Sequence, residues 1–138
     1  MDHFKYKSIF LPEIEIGVVF SENKEYPKLK PLFDKLGFGF MVPNQNMIVI
    51  DGEMLVEYGG EILKFIEAHE IAHIILGHDG PRNPQDEIDA DLGAYLLLSK
   101  INAKIPLQIL LSFFESRHGI EFNEEMLETI KKHFSDYL

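Results

Sequence analysis

His69-Glu70-Ile71-Ala72-His73 places two imidazoles four residues apart with a carboxylate beside the first. Residues four apart share one face of an α-helix, so the two rings stand side by side about one turn apart. That spacing lets both bind one tetrahedral zinc ion at Zn–N distances of about 2.0–2.1 Å. Glu70 sits about 100° round the helix from His69 by the 3.6-residue period. From there it can reach a metal-bound water without replacing it as a ligand. Water is a poor nucleophile, and zinc both lowers its pKa to about 7 and polarises a scissile carbonyl. A five-residue segment thus offers two ligands and a general base. Two buried histidines satisfied by their neighbours would need none of this, so further features have to decide.

A catalytic zinc site takes three protein ligands. Glu87 opens the next expected helix and is the candidate for the third. Glu87, Asp91, Ala94 and Leu98 form one stripe at helical spacing. Acids on the inward face of an otherwise apolar helix are costly without a metal or a cation. An acidic first turn that suits the helix dipole explains Asp86 and Glu87 but not Asp91, one turn further in. Asp91 is placed to accept the remaining N–H of a ligand histidine and fix its tautomer. Ala72, Ala90, Gly93 and Ala94 are small enough for the two helices to approach closely. A metzincin pattern requires Gly three and His six residues after the second histidine, whereas Gly77 is four and His78 five residues after His73. A deformylase-type site requires a cysteine, and the chain has none.

The secondary structure that carries these residues is legible in outline. Glu13 to Phe20 alternates, with Ile14, Ile16, Val18 and Phe20 on one face, as a half-buried strand would. Tyr26 to Pro31 opens a short helix that Gly37 can close in a left-handed cap. Phe38 to Val42 and Met47 to Ile50 flank the turn residues Pro43-Asn44-Gln45-Asn46, which makes a hairpin. Tyr58-Gly59-Gly60 lacks the lysine and full glycine pattern of a phosphate loop and reads as a turn. A helix apolar nearly all round, and therefore in the core, is expected from Glu61 to Leu76 with Gly77 as its cap. His78 reads as a group that favours the helix C-terminus through the dipole. After the loop Gly80-Pro81-Arg82-Asn83, Asn83 caps a helix that has Pro84 first and runs to about Lys100. Pro106 starts a third helix that ends before Gly119. A last one follows Asn123, with Phe122 and Leu127 as a hydrophobic staple. Strands first and helices after is an α+β arrangement.

With 138 residues, the chain suits a single domain, 1–138, with one core. Its 46% hydrophobic and 26% charged residues are the balance of an ordinary globular protein. Without cysteine, any transition metal must be held by nitrogen and oxygen. The N-terminal residues do not read as a secretory signal, and no apolar segment approaches the roughly 20 residues of a membrane span. The expectation is a cytoplasmic protein with no membrane partner. A net charge of -10, with no clustered Lys or Arg, argues against a nucleic-acid partner.

His69-Glu70-Ile71-Ala72-His73 followed by His78, then Glu87-Ile88-Asp89-Ala90-Asp91-Leu92-Gly93-Ala94, resembles the gluzincin metallopeptidases. The HtpX and CAAX-prenyl-protease-like family has a similar second motif, Glu-x-x-Ala-Asp-x-x-Gly, with the glycine one residue later than Gly93. The resemblance covers about Gly39 to Leu98. HtpX-like enzymes are membrane-embedded, so the compact form here is more similar to soluble minigluzincins, selecase-like proteins and ImmA-type peptidases. The resemblance implies a zincin-like fold, with a small three-strand sheet packed on an active-site helix and a glutamate helix, to which the pattern after Pro106 and Asn123 adds two further C-terminal helices. It implies one Zn2+ per chain held by His69, His73 and Glu87, with Glu70 as base and Asp91 behind the ligands. It also implies a peptide or protein substrate added to a sheet edge, for which Met47-Ile48-Val49-Ile50 is the candidate rim. The oxyanion-stabilising residue has three candidates: Tyr95, Arg117 and His118. His133, Asp136 and the Leu138 carboxylate could occupy the site from the same or a neighbouring chain, a route to self-association through the C-terminal segment. The alternative function is a metal-stabilised regulatory or interaction module on the same scaffold, without turnover.

Overall fold

The alternating, hairpin and helical segments of the sequence appear in a computed structural model that describes residues 3–42, 44–78, 83–101 and 107–138. Among these residues the protein is α+β. The strands are β1 (His3–Lys7), β2 (Glu15–Val19), β3 (Gly39–Val42) and β4 (Met47–Asp51). Six α-helices accompany them: α1 (Tyr26–Leu36), α2 (Glu53–Tyr58), α3 (Glu61–Ile75), α4 (Pro84–Lys100), α5 (Leu107–His118) and α6 (Glu124–Lys131). A 3₁₀ turn over Lys132–Tyr137 ends the chain. Two units divide inside α3, at Met1–Glu70 and Ile71–Leu138.

The first unit carries one mixed sheet in the order β1-β2-β4-β3. β2 and β4 are parallel, with Ile16 opposite Ile48 and Val18 opposite Ile50. β1 pairs antiparallel with β2, and β3 antiparallel with β4. Two expectations are corrected here. The sheet has four strands rather than three, and Met47-Ile48-Val49-Ile50 is an interior strand rather than an edge; the edges are β1 and β3. An interior strand of a parallel pair is covered on both faces and reads as a continuous apolar run, which is what Met47 to Ile50 is. β2 is likewise buried on both faces rather than half-buried. Ile14, Ile16 and Val18 lie inside as the alternation requires, but Val19 is also buried. It clusters with Phe33 of α1 and Val49 of β4, so α1 covers the second face.

The β3–β4 hairpin forms as expected, with Gly39 opposite Ile50 and Val42 opposite Met47. Asn44 and Asn46 take positive φ in its turn, a conformation asparagine tolerates. Pro43 lies outside the described residues. Gly37 ends α1 with the expected positive φ, 95°, but with ψ -175° it lies outside the left-handed helical well, in a region open essentially to glycine. The turn at Gly59 is as expected, whereas the short helix α2 before it had no periodic signal of its own.

In the second unit, α3 stops where the sequence indicates. The His78 amide donates to the His73 carbonyl and the Gly77 amide to the Ile74 carbonyl. This is a Schellman cap, and Gly77 supplies its positive φ of 73°. Asn83 caps α4, accepting from the Asp86 amide at 2.9 Å, while Asp86 accepts from the Asn83 amide. Residues 79–82 and Pro106 lie outside the described residues, so the loop and the proline start of α5 do too. Asn123 caps α6 as expected. Phe134, in the 3₁₀ turn, is 0% exposed, so the tail after α6 contributes a core residue.

Gly93 of α4 is where the 3₁₀ turn and the end of α3 meet the helix. A Cβ there would lie 2.3 Å from Phe134 Cζ and 2.9 Å from Ala72 Cβ. Gly93→Ala gains about 1 kcal/mol of helix propensity but overpacks a closed core, at about 1–3 kcal/mol. With a contact of 2.3 Å to a rigid ring, the clash wins. Thermal unfolding is expected to show a lower Tm for Gly93→Ala. The loss should shrink in a Phe134→Leu background, which lacks Cζ. A higher Tm in the single variant would refute this packing. Among the described residues no helix is long and apolar enough to cross a membrane.

Candidate metal centre

α3 is apolar nearly all round, and residues 65–73 are all buried, as expected for a core helix. His69, Glu70 and His73 are 7%, 4% and 0% exposed. Burying two imidazoles and a carboxylate is unfavourable unless each is paired or shares an ion. One ligand atom from each of the three lies within 4.8 Å of the others, so this buried group can hold a metal ion.

Local packing fixes the first two side chains. The Phe65 ring stacks on the His69 ring, with centroids 6.3 Å apart. The Glu70 side chain lies over Gly39 of β3, where a Cβ would come 3.5 Å from Glu70 Cγ and 2.8 Å from Ile66 Cγ2. Glycine at 39 therefore lets the edge strand approach the glutamate closely. One turn before Glu70, the carboxylate of Glu67 accepts from Ser8 Oγ at 2.8 Å, Tyr6 Oη at 3.0 Å and the Ile9 amide at 3.0 Å. These bonds tie α3 to β1 and the residues after it. Burial pushes the Glu67 carboxyl up from its ordinary pKa, and the three hydrogen bonds oppose that shift. Sequence reasoning passed over both Gly39 and Glu67, because nothing local distinguishes them from a strand glycine and an exposed helix acid.

Glu87, in the first turn of α4, brings Oε1 to 3.3 Å from His73 Nε2. Two donors on one tetrahedral ion, each about 2.0–2.1 Å from it, are about 3.3–3.4 Å apart. The separation thus matches one edge of a zinc tetrahedron. It also suits an ion pair with a protonated imidazole, and a metal assay separates the two. Asp89 belongs to a different face of α4, where it accepts from Gln85 Nε2 at 2.8 Å.

Asp91 is buried, as the stripe requires. Its Oδ2 is 2.7 Å from His118 Nε2 and 3.4 Å from Arg117 Nε, both on α5. Arg117 also reaches Glu87 Oε2 at 3.5 Å. Two of the three oxyanion candidates therefore stand beside the acids of α4. The third, Tyr95, packs edge-on to Phe122 in an aromatic cluster. For His73, the Nδ1 partner is His78 rather than Asp91: the two Nδ1 atoms are 2.9 Å apart. His78 Nε2 in turn lies 3.4 Å from Asp86 Oδ1. A reading of His78 from the helix dipole alone missed this. The available signal was a histidine just past a glycine cap, which returns the chain towards the last turn.

A helix-borne His-Glu-His group with a carboxylate from the following helix defines this α+β protein as one with a candidate metal centre. No protein-family model, no curated protein and no solved structure matches the chain.

Proposed function

We propose that the protein is a zincin-like metallopeptidase of the gluzincin type, with His69, His73 and Glu87 holding one Zn2+ and Glu70 acting as general base. The observation that carries this reading is the 3.3 Å approach of Glu87 Oε1 to His73 Nε2, beside a buried glutamate on the same helix as both histidines. When bound, the ion supplies a Lewis acid for the scissile carbonyl and acidifies water. Glu70 takes the proton from the attacking water and delivers it to the leaving amine. Arg117, 41% exposed and beside Glu87, is the cation available to negative charge building on the carbonyl oxygen.

The substrate would lie along β3 rather than β4. β3 is an edge strand of the sheet, and its Gly39 is packed against Glu70. An extended peptide adding there gains main-chain hydrogen bonds next to the base. A complex with a peptide inhibitor is expected to show backbone contacts to residues 39–42, and contacts confined to β1 would refute this assignment.

Metal content of the purified protein, measured alongside cleavage of a peptide library with and without chelator, tests the reading. Stoichiometric zinc with chelator-sensitive cleavage supports it, and a protein that binds no zinc overturns it. Zinc without cleavage points to the alternative, a metal-stabilised module with no turnover.

A further inference from the structure

We infer that His78 and Asp86 form a positioning relay that sets the tautomer of His73 and presents its Nε2 lone pair to a metal. The inference deepens the metallopeptidase reading and rests on His73 being a ligand.

The hydrogen-bond directions follow from the partners. Asp86 is a carboxylate, an acceptor only, and its Oδ1 lies 3.4 Å from His78 Nε2. A neutral His78 facing it carries its proton on Nε2, which leaves Nδ1 as an acceptor. That Nδ1 is 2.9 Å from His73 Nδ1, so His73 must donate from Nδ1. In the neutral His73 that a metal ligand requires, Nε2 then bears the lone pair, and this is the nitrogen 3.3 Å from Glu87 Oε1. Two acceptors facing each other at that distance repel unless a cation lies between them. The relay thus makes a site for a cation from groups that would otherwise settle as a simple hydrogen bond.

The arrangement is built into the helix ends. His78 is tied twice to His73, once through the rings and once through its amide, which donates to the His73 carbonyl in the glycine cap. Asp86 is also the side chain that closes the capping box with Asn83 at the start of α4. The same carboxylate therefore orients His78 and holds the first turn that carries Glu87. One ligand from each helix is registered by a single chain of polar contacts, Asn83-Asp86-His78-His73, in which the Asp86–His78 link is an ion-pair approach of 3.4 Å and the others are hydrogen bonds. Fixing a ligand tautomer from behind in this way typically changes metal affinity by about 10–100-fold.

Three proteins test it: wild type, His78→Leu and His78→Asn. Leucine removes the acceptor, whereas the Asn carbonyl oxygen stands roughly where Nδ1 stood. Zinc affinity is measured by competition with a chromogenic chelator, and the imidazole nitrogens are assigned by nitrogen-15 NMR with and without zinc. The expected result is a loss of about 10–100-fold in zinc affinity for His78→Leu and recovery of most of that loss in His78→Asn. NMR should place a proton on His73 Nδ1 and none on His78 Nδ1. Wild-type affinity in a folded His78→Leu, or a proton on His78 Nδ1 donated to His73, would overturn the relay. If His78→Leu does not fold, the Asn variant and the wild-type nitrogen assignments decide. A wild type that binds no zinc defeats the metallopeptidase reading, while the nitrogen assignments still uphold or overturn the relay.

Discussion

Glu70→Gln is expected to keep zinc near one per chain and to lower peptide hydrolysis by about 10²–10⁴-fold, the usual contribution of a positioned general base. The substitution is nearly isosteric. The side chain keeps its place over Gly39, where the nearest approach is through Cγ, a carbon both residues share. What changes is basicity, because an amide cannot take a proton from water at neutral pH. Burial sharpens the effect: Glu70 is 4% exposed, so bulk solvent offers no ready substitute for the missing base. Metal content by mass spectrometry and kcat/KM on one cleaved peptide are the two measurements. Metal lost together with activity would mean that Glu70 is itself a ligand. Its ligand atom is close enough to both histidines for that outcome to be a real test.

Glu87→Gln should do the opposite and lose the metal, since a neutral amide is a much poorer zinc ligand than a carboxylate. The fall in affinity should exceed the roughly 10–100-fold cost of removing an outer hydrogen-bonding partner. Asp91→Asn belongs in that smaller class, because Asp91 meets His118 and Arg117 behind the acids rather than supplying the 3.3 Å edge to His73. Asp89→Asn is the control. It is two residues from Glu87, about 200° round the helix by the 3.6-residue period, and bonds to Gln85. Its metal content should equal wild type. If Asp89→Asn strips the zinc while Glu87→Gln retains it, the assignment of the third ligand is wrong. Glu87→Gln also removes one of the two acidic partners that Arg117 has among the described residues, the other being Asp91.

The helical half was the more legible part of the chain. Gly77, Asn83, Pro84 and Asn123 are local signals whose physics is contained in a few neighbouring residues, and α3, α4 and α6 begin or end on them. The sheet was less legible. The β3–β4 hairpin is local and was readable, but the parallel pairing of β2 with β4 joins residues more than thirty apart. No local pattern encodes that pairing, so the strand taken for an edge proved to be interior. The short helix α2 escaped for a related reason, having too few turns to show a period.

The chemistry on offer was already written in residue types and spacing: two imidazoles and a carboxylate on one helix, an acidic stripe on the next, and no thiol. Helical periodicity is rigid enough that spacing along the chain converts directly into a shared face. Which partners those groups meet depended on the folded arrangement of the elements. It set Asp91 against His118, His78 behind His73, and Gly39 against Glu70. Side-chain partners across elements depend on how far each helix end turns and which strands lie side by side. Those are properties of packing, which no spacing along the chain contains.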